Sequence, residues 1–323
     1  MFRTELHIEP SANKIGLHSP ILTIGSCFSD NIASKLSDNK IEVLANPFGT
    51  VYNPISIFKL LGNACKKEHP KTSEVIENDG LFAHYDFHSS FSKLNEAELT
   101  TAINKAVDDT HEFLKKTDYL IVTFGTAFVY ELDSTAEVVA NCHKVPAKNF
   151  TKKLLTQKQV LEAFEEVYQR LMDLKPDLKI ILTVSPVRHI KDTLALNSVS
   201  KSTLRLTCHT LENQYDNVEY FPSYELVMDD LRDYRFYKSD MLHPSAEAQD
   251  YIWSKFLSTY FDDQTQSFIK EWVKIKAAID HRPFNPASEK HQQFIKATIE
   301  KIELLPQEIS FSQELETLRN QLL

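Results

Sequence analysis

Short apolar runs alternate with longer helix-compatible stretches along most of this chain, and this alternation constrains the fold more than any other feature of the sequence. We predict strands at 21–24, 41–44, 119–124, 178–184 and 218–221. Helical patterns cover 30–36, 54–64, 96–116, 156–174 and 194–212, and another helix runs from Pro244 to about residue 260. Strands that alternate with helices build a mostly parallel sheet covered on both faces, so we expect an α/β fold.

The composition changes near residue 261. The last part of the chain is rich in Lys, Glu and Gln, has no glycine, and carries apolar side chains at helical spacing, namely Phe268, Trp272, Ile275 and Ala278. We therefore predict an α/β domain over 1–262 and a helical C-terminal extension over 263–323. The extension serves either as a stabilising cap on the α/β body or as a partner-binding arm, and we favour the cap.

The charge balance argues against two classes of partner. The 323 residues carry a net charge of −9 at pH 7, whereas proteins that bind nucleic acid or anionic membranes generally present a basic face. No run of about 18 apolar residues occurs, and no signal-peptide core follows the N-terminal methionine. We expect a cytoplasmic protein that binds neither nucleic acid nor membranes, whereas its oligomeric state is not given by the sequence.

Cysteine and glycine usage excludes several common cofactor sites. Cys27, Cys65, Cys142 and Cys208 show no CxxC spacing, and no HExxH occurs, so we predict free thiols and no metal site. The chain has only 6 glycines, and none forms GxGxxG or GxxxxGK[ST]. Glycine-rich dinucleotide and P-loop phosphate sites are thereby excluded, and we expect no cofactor.

Three of these glycines lie at or just beyond the ends of the first three predicted strands. They are Gly25, Gly49 and Gly125. Open parallel sheets build their sites at the carboxyl ends of the strands, where glycine permits close approach of the backbone to a ligand. The alternative is that strand-to-helix turns simply need a positive φ at these positions.

The first of these glycines precedes two residues that can act as nucleophiles. The strand at 21–24 runs through Gly25 into Ser26 and Cys27, and a helix follows. The N-terminus of a helix lowers the pKa of a thiol and offers free N–H groups to an oxyanion. A cysteine is otherwise more often a small buried side chain, but this position favours a nucleophile.

A second polar pair lies late in the chain. Asp240 and His243 are three residues apart, just before Pro244 and the helix it introduces. A carboxylate placed beside an imidazole in one short loop orients the ring, as a general base requires. Together with a nucleophile at a strand end, this loop indicates a general base much more strongly than a lone histidine would.

Several short stretches contain or adjoin these candidate residues. They are Ile-Gly-Ser-Cys-Phe-Ser at 24–29, Asn-Pro-Phe-Gly-Thr-Val-Tyr-Asn-Pro at 46–54, Phe-Gly-Thr-Ala at 124–127, Asn-Cys-His-Lys at 141–144, Ser-Pro-Val-Arg-His at 185–189, and the loop of Asp240 and His243. Together they resemble the GSCFA family, which is grouped with the SGNH (GDSL-like) hydrolases. The resemblance implies a three-layer, flavodoxin-like SGNH-hydrolase fold for the α/β domain.

The resemblance also implies roles for individual residues. Asp240 and His243 match the Asp-x-x-His element of the SGNH pattern, and Gly49 matches the glycine whose N–H helps to bind the oxyanion. Where SGNH enzymes have Gly-Asp-Ser, Ser26 replaces the aspartate and Cys27 takes the position of the nucleophile. A thiol can be activated by the same histidine base. Ser26 remains the alternative nucleophile if the turn is shifted by one residue.

This sequence departs from the SGNH pattern in its third element. The usual asparagine of the oxyanion hole is absent after Gly125, and we name Thr126 and Asn141 as candidate substitutes. One such donor is typically worth about 3 kcal/mol of transition-state stabilisation, so its identity matters for any catalytic function.

Five further residues are candidates for substrate binding: Asn53, His88, His143, Arg188 and His189. His88 and His143 either line the site or play structural roles. Arg188 and His189 follow the end of the fourth predicted strand, where they would supply positive charge to an anionic substrate group.

The resemblance and these residues favour an acyl-ester hydrolase that acts on an ester, in the first place an acetyl ester, of a carbohydrate or similar small hydroxyl compound. An O-acyltransferase that uses a donor such as acyl-CoA would need the same triad. The third alternative is a non-catalytic carbohydrate-binding protein on a degenerate SGNH fold. It is motivated by the replaced aspartate of the first SGNH element and the missing asparagine of the third.

Overall fold

A five-stranded parallel sheet forms the centre of the structure, a computed structural model that describes residues 3–323. In chain order the strands are β1 (Ile21–Gly25), β2 (Val43–Ala45), β3 (Val75–Asn78), β4 (Leu81–His84), β5 (Tyr119–Phe124), β6 (Phe128–Leu132), β7 (Val138–Val139), β8 (Phe150–Leu154), β9 (Lys179–Val184) and β10 (Val218–Phe221). The helices are α1 (Cys27–Asp38), α2 (Pro54–Lys66), α3 (Glu96–Leu114), α4 (Gln157–Leu174), α5 (Thr193–Gln214), α6 (Ser223–Glu225), α7 (Ala246–Tyr260), α8 (Asp263–Ile279), α9 (Glu289–Glu303) and α10 (Ser312–Arg319).

The strands of the central sheet follow the order β2-β1-β5-β9-β10, and every neighbouring pair is parallel. Counted within this sheet alone, the order is 2-1-3-4-5, which is that of flavodoxin-like folds. The predicted three-layer α/β fold is therefore confirmed. From β1 the chain first goes to β2 on one side, and then crosses to β5, β9 and β10 on the other side. The two crossovers therefore leave β1 and β5 in opposite directions, and this switch point forms a crevice at the carboxyl ends of the two strands.

Successive strand residues face opposite layers of helices. Leu22 and Val122 pack in the apolar core beneath α2, α3, α4 and α5. Ile21 and Ile121, one residue earlier on the same strands, belong to a second core shared with α1, α7 and the helices at the C-terminal end. Because both faces are covered, the strands consist of nearly continuous apolar residues, as the sequence pattern indicated.

Side-chain caps determine where the helices begin. Ser26 accepts the N–H of Phe28, so α1 starts at Cys27, three residues before the predicted start at 30. Thr156 and Gln159 form a reciprocal capping box at α4. Ser245 caps α7, so that helix begins at Ala246, after the proline rather than at it.

Two small antiparallel units are additional to the predicted elements. Strands β3 and β4 form a hairpin, and β6 pairs with both β7 and β8. Tyr85, Val139 and Phe150 bring the two units together in a small apolar cluster. A π-helical turn, Leu226–Leu231, also continues directly from α6. The strands of the small units are short and partly exposed, so their sequences lack the long apolar runs that mark the central sheet.

The helices α8, α9 and α10 lie within the predicted extension and pack on the α/β body. Trp272 is almost completely buried, its indole N–H donates to the carbonyl oxygen of Asp38 at 2.8 Å, and its ring packs against Phe311. The domain boundary at 262 stays a prediction, since these helices share a core with α1 and α7. None of the helices described over 3–323 has the length and apolar character needed to cross a membrane.

Candidate active site

The turn after β1 places the two candidate nucleophiles at the switch point of the sheet. Gly25 has a φ of +140°, and a Cβ at this position would lie 2.1 Å from the carbonyl oxygen of Thr123 on β5. Only glycine lets β1 and β5 approach so closely. The N–H of Ser26 then donates to the same Thr123 oxygen at 3.0 Å. Ser26 itself is buried, whereas Cys27, the first residue of α1, is partly exposed.

The surroundings of Cys27 act on its thiol in both directions. Burial raises the pKa of the thiol above its usual value of 9.0, and the carboxylate of Asp30 raises it further. The N–H of Cys27 itself and the ammonium groups of Lys201 and Lys238 oppose this rise. The net pKa is raised, so at neutral pH the thiol keeps its proton and its attack requires a base.

Asp240 and His243 form a hydrogen-bonded pair in one tight loop. Nδ1 of His243 lies 2.7 Å from Oδ2 of Asp240, while Oδ1 accepts the N–H groups of Leu242 at 2.8 Å and of His243 at 3.0 Å. These N–H groups, with that of His243 first, lower the pKa of the Asp240 carboxyl to about 2. A carboxylate that is ionised at neutral pH and bonded to Nδ1 leaves Nε2 of His243 as the nitrogen that can accept a proton.

One hydrogen bond and one electrostatic interaction relate this loop to the edge of the sheet that carries Cys27. The N–H of Arg188, which follows β9, donates to the carbonyl oxygen of Leu242 at 3.3 Å. Lys238, at the start of the loop, is close enough to Cys27 to lower the pKa of its thiol. In the described part of the chain Cys27 and His243 share no direct hydrogen bond, which is common before substrate binds.

The loop between β2 and α2 connects the nucleophile turn to the neighbouring strands. Oδ1 of Asn46 accepts the N–H of Gly25 at 2.8 Å, and its Nδ2 donates to Asp30 at 2.5 Å. The N–H of Val51 donates to the Gly25 carbonyl oxygen at 2.9 Å. Asn46 thus positions the turn, a role that we did not predict, although the residue opens the quoted stretch at 46–54.

The candidate oxyanion donors are engaged in internal hydrogen bonds. The N–H of Gly49 donates to the carbonyl oxygen of Asn46 at 2.7 Å, within a turn where Gly49 has a φ of +75°. The hydroxyl of Thr126 accepts the N–H of Phe128 at 3.0 Å and bonds Ser200 Oγ at 3.1 Å. The side-chain oxygen of Asn141 accepts the N–H of His143 at 2.9 Å. Their roles in an oxyanion hole therefore stay predictions.

Three of the substrate-binding candidates have structural partners. Asn53 is buried, and its side chain caps α2 by bonding both the N–H and the hydroxyl of Ser56. His88 lies directly on Gly49, where an added Cβ would be 2.3 Å from the Cβ of His88. Nε2 of His143 bonds the carbonyl oxygen of His84 at 2.8 Å, which ties His143 to the hairpin.

The other two candidates border the loop of the acid–base pair. The guanidinium of Arg188 stacks on the rings of Tyr237 at 4.3 Å and Tyr234 at 5.2 Å. Both tyrosines and Arg188 line a cavity of about 400 Å³. His189 packs edge-on against Tyr52 at 5.7 Å, and burial lowers its pKa to about 4, so it is neutral at pH 7.

A separate cluster has the donor set of a metal site. Ligand atoms of Glu74, His84 and Asp86 lie within 4.8 Å of one another. The ammonium of Lys59 already pairs with Asp86 at 2.7 Å and Glu74 at 3.2 Å. Nδ1 of His84 accepts the N–H of Asp86 at 3.1 Å. Since Lys59 supplies the balancing charge, the arrangement is that of a buried ion-pair network.

Comparison with known proteins identifies a family and several distant structural similarities. The model of the GSCFA family matches residues 20–256, and the model described as GSCFA domain protein, C-terminal domain, matches residues 272–323. A carbohydrate esterase family 3 protein from Talaromyces cellulolyticus is 8% identical, with a TM-score of 0.36 over 78% of this chain and 99% of that chain. An acetyl xylan esterase from the rumen bacterium Butyrivibrio proteoclasticus is 10% identical, with a TM-score of 0.38 over 74% of this chain and 62% of that chain. A comparison with curated proteins gives no match.

Proposed function

This chain belongs to the GSCFA family, and we propose that it is an acyl-ester hydrolase that acts on an acetyl or similar ester of a carbohydrate or other small hydroxyl compound. The observation that carries the proposal is the pair of His243 and Asp240, 2.7 Å apart in a loop that Arg188 ties to the carboxyl edge of the sheet, where β1 leads into Cys27. A nucleophile, a base and a group that orients the base are the three parts that covalent acyl transfer requires.

In the proposed first half-reaction, Sγ of Cys27 bonds to the acyl carbon while the thiol proton moves to Nε2 of His243. The ester C–O bond then breaks, and the same proton passes to the leaving oxygen as the alcohol departs. In the second half-reaction, water loses a proton to Nε2 and attacks the thioester carbon. The carboxylic acid leaves, and Nε2 returns the proton to Sγ.

The electrostatics of the site support a general-base role for His243. Since the pKa of the Cys27 thiol is raised, the thiol does not ionise by itself at neutral pH. Asp240 is ionised across the working range because its pKa is held near 2. Its negative charge stabilises the imidazolium that forms when His243 takes the thiol proton.

For the oxyanion we propose the N–H of Cys27, at the first position of α1, as the primary donor. Gly49 would become a second donor if a substrate displaces its present bond to the Asn46 carbonyl oxygen. Ser26 is the less suitable nucleophile, because its side chain is buried and its oxygen caps α1.

The cavity beside the loop supports the proposed substrate class. Arg188 forms no ion pair with a carboxylate among residues 3–323, so its guanidinium is available to a polar substrate group, whereas Asp229 and Asp233 in the same lining disfavour an anionic one. Tyr234, whose side chain is exposed, offers an aromatic ring to a sugar next to that group. We propose that this cavity holds the hydroxyl compound whose ester is cleaved.

The function can be tested by intact-protein mass spectrometry after brief exposure to p-nitrophenyl acetate. We expect an acetyl adduct in the wild type that is absent in Cys27→Ala. Removing the base in His243→Ala should slow its formation by about 10²–10⁴-fold. Cys142→Ala is the matched control, because Cys142 is the other partly exposed thiol and packs against the apolar cluster of Tyr85, Val139 and Phe150. An adduct that persists in Cys27→Ala but disappears in Ser26→Ala would contradict the thiol assignment.

Parallel exposure to acetyl-CoA separates hydrolysis from transfer. Adduct formation from the aryl ester, with turnover to acetate, is the expected result for a hydrolase. Exclusive labelling by acetyl-CoA, with release only to an added sugar, would instead establish an O-acyltransferase.

One observation favours a second candidate function. The Gly49 N–H and the Thr126 hydroxyl are both engaged inside the protein, which is compatible with a carbohydrate-binding protein that performs no catalysis. Sugar binding that depends on Arg188, with neither an adduct nor hydrolysis from either donor, would establish this alternative.

A further inference from the structure

Helix α5 presents an uncharged face to the surface. Among the exposed residues of 193–209, a span that the structure describes in full, none is Asp, Glu, Lys or Arg. The two basic residues of the span are engaged within the protein: Lys201 is almost completely buried, and Arg205 pairs with Glu225 at 2.8 Å. The centre of this surface, which we call the α5 face, consists of Ala195, Ser198, Val199, Ser202, Leu206 and His209.

Other long helices of the protein expose charged side chains. Lys105 and Asp109 lie on the surface of α3, and Lys158 and Glu162 lie on that of α4. Charged residues make up 25% of the chain, so a surface helix without an exposed charge over 193–209 is unusual for this composition. An exposed surface of this kind, which contains apolar side chains and no charge, marks a contact with another molecule.

Contacts on the inner side of α5 fix the orientation of the helix. The ammonium of Lys201 donates to the carbonyl oxygen of Gly125 at 2.7 Å and to that of Ser185 at 2.6 Å, which follow β5 and β9 respectively. Oγ of Ser200 accepts the N–H of Ala127 at 2.7 Å. These bonds prevent a rotation that would bury the α5 face within the same chain, so covering it requires a second molecule.

The spacing of residues on the α5 face suits close packing of helices. Ala195, Ser202 and His209 are seven residues apart and lie along one line of the helix, with Val199 and Leu206 beside them. The alanine and serine side chains let a second helix approach closely. The valine and leucine, which are 46% and 52% exposed, supply apolar surface that such a helix would bury.

We propose that the α5 face is the contact of a symmetric dimer, in which α5 packs antiparallel against α5 of a second copy of this chain. The two-fold axis passes beside Ser202, in the middle of the face. Residues at equal distances from the axis then meet, so Ala195 of one copy faces the partner's His209. The inference does not depend on the proposed function.

The charges at the two ends of α5 favour this antiparallel arrangement. Exposed Lys191 precedes the helix, whereas exposed Asp216 follows it. Antiparallel packing places the basic end of each helix beside the acidic end of the other, and it brings the positive end of each helix dipole to the negative end of the other. Because the chain carries a net charge of −9, two copies repel each other at long range, but contact through the α5 face adds no pair of like charges.

A membrane surface fits the α5 face less well than a second copy. Helices that lie on anionic membranes carry Lys and Arg beside their apolar side chains. Over the described residues 193–209, no exposed Lys or Arg occurs. We therefore assign the face to self-association.

The length of the face determines the expected strength of the dimer. At about 1.5 Å per residue, the segment 193–209 extends about 25 Å. Two helix faces of this length bury less than the roughly 800 Å² per partner of a standard interface. We therefore expect a reversible dimer with a Kd of roughly 10–100 μM.

Sedimentation velocity over a range of protein concentrations tests the dimer. We expect the wild type to pass from monomer to dimer, and Val199→Lys to raise the Kd by about tenfold or more, because it places two like charges near the axis. Val273→Lys is the matched control, since Val273 is a 53% exposed valine on α8 and the same change outside the α5 face should leave the Kd unaltered. A wild type that stays monomeric up to about 1 mM, or a folded Val199→Lys with an unaltered Kd, would overturn the proposal.

Cysteine cross-linking tests the antiparallel register and covers the case in which Val199→Lys does not fold. Under mild oxidation, Ser202→Cys should form a disulfide-linked dimer by itself. Ala195→Cys and His209→Cys should cross-link to each other in a mixture, but neither should cross-link to itself. Self-cross-linking of His209→Cys would indicate a parallel pair and contradict the arrangement. The wild type, with its partly exposed Cys27 and Cys142, is the control for disulfides between native thiols.

Binding to phosphatidylcholine vesicles distinguishes the other possible occupant of the face. Vesicle binding by a wild type that is monomeric in solution, with loss of binding in Val199→Lys, would assign the α5 face to a membrane and reject the dimer. None of these measurements uses an ester, so the presence or absence of esterase activity does not affect the result.

Discussion

At the scale of single residues, Gly25 determines whether the nucleophile turn can form. Its φ of +140° and the 2.1 Å from a built Cβ to the Thr123 oxygen leave no room for a side chain. We expect Gly25→Ala to lower the free energy of unfolding by about 3–5 kcal/mol, the sum of an unfavourable φ and a steric clash. Gly80→Ala is the control, since Gly80 also has a positive φ but nothing within 4 Å. Its cost should be about 1 kcal/mol in urea unfolding, and equal losses would disprove the clash.

At the scale of elements, Lys59 joins α2 to the β3–β4 hairpin through two carboxylates. It pairs with Asp86 and Glu74, and Asp86 is almost completely buried. We expect Lys59→Met to destabilise the protein by about 2–3 kcal/mol at pH 7.5, less than for a fully buried pair because Lys59 is partly exposed. Exposed Lys66 on the same helix is the control, and Lys66→Met should change stability by less than about 0.5 kcal/mol.

The pH dependence of this effect follows from Asp86. Burial raises the pKa of Asp86 to about 6, so its carboxyl is ionised at pH 7.5 and mostly protonated at pH 5. Without Lys59 the ionised form loses its partner, whereas the protonated form needs none. Urea unfolding of Lys59→Met should therefore show a smaller deficit at pH 5 than at pH 7.5. A deficit that is constant with pH would show that lost packing, rather than charge, is responsible.

At the scale of the whole molecule, the C-terminal helices and the α/β body share one apolar core. Trp272 lies in that core with its indole bonded to Asp38 of α1. We expect Trp272→Ala to reduce the free energy of unfolding by about 3–5 kcal/mol, and the whole chain to unfold in a single calorimetric transition. Neighbouring Val273 is exposed, so Val273→Ala should have little effect. Separate transitions for residues 263–323 and the rest would indicate an independently folding extension.

The fold was predictable where its determinants are local. The runs at 119–124 and 178–184 are apolar because both faces of the sheet are covered, so the strands could be read from hydrophobicity alone. The small strands β6 and β8 were not predicted, because their half-exposed residues carry no such pattern and depend on pairing partners. Helix α1 begins earlier than predicted because the side chain of Ser26 caps its N-terminus.

The candidate site also contains one part that the sequence predicts and another that depends on the tertiary structure. Asp240 and His243 lie three residues apart, so their hydrogen bond is a property of one loop, and the sequence by itself indicated it. The positions of Asn46 and Lys201 depend instead on contacts between segments that are distant in the sequence: Asn46 with Gly25, and Lys201 with Gly125 and Ser185. Only the strand order brings those segments to one edge. The sequence determined which chemical groups are available, and the tertiary structure decided which of them are buried together, because burial and charge coupling arise only after the sheet has formed.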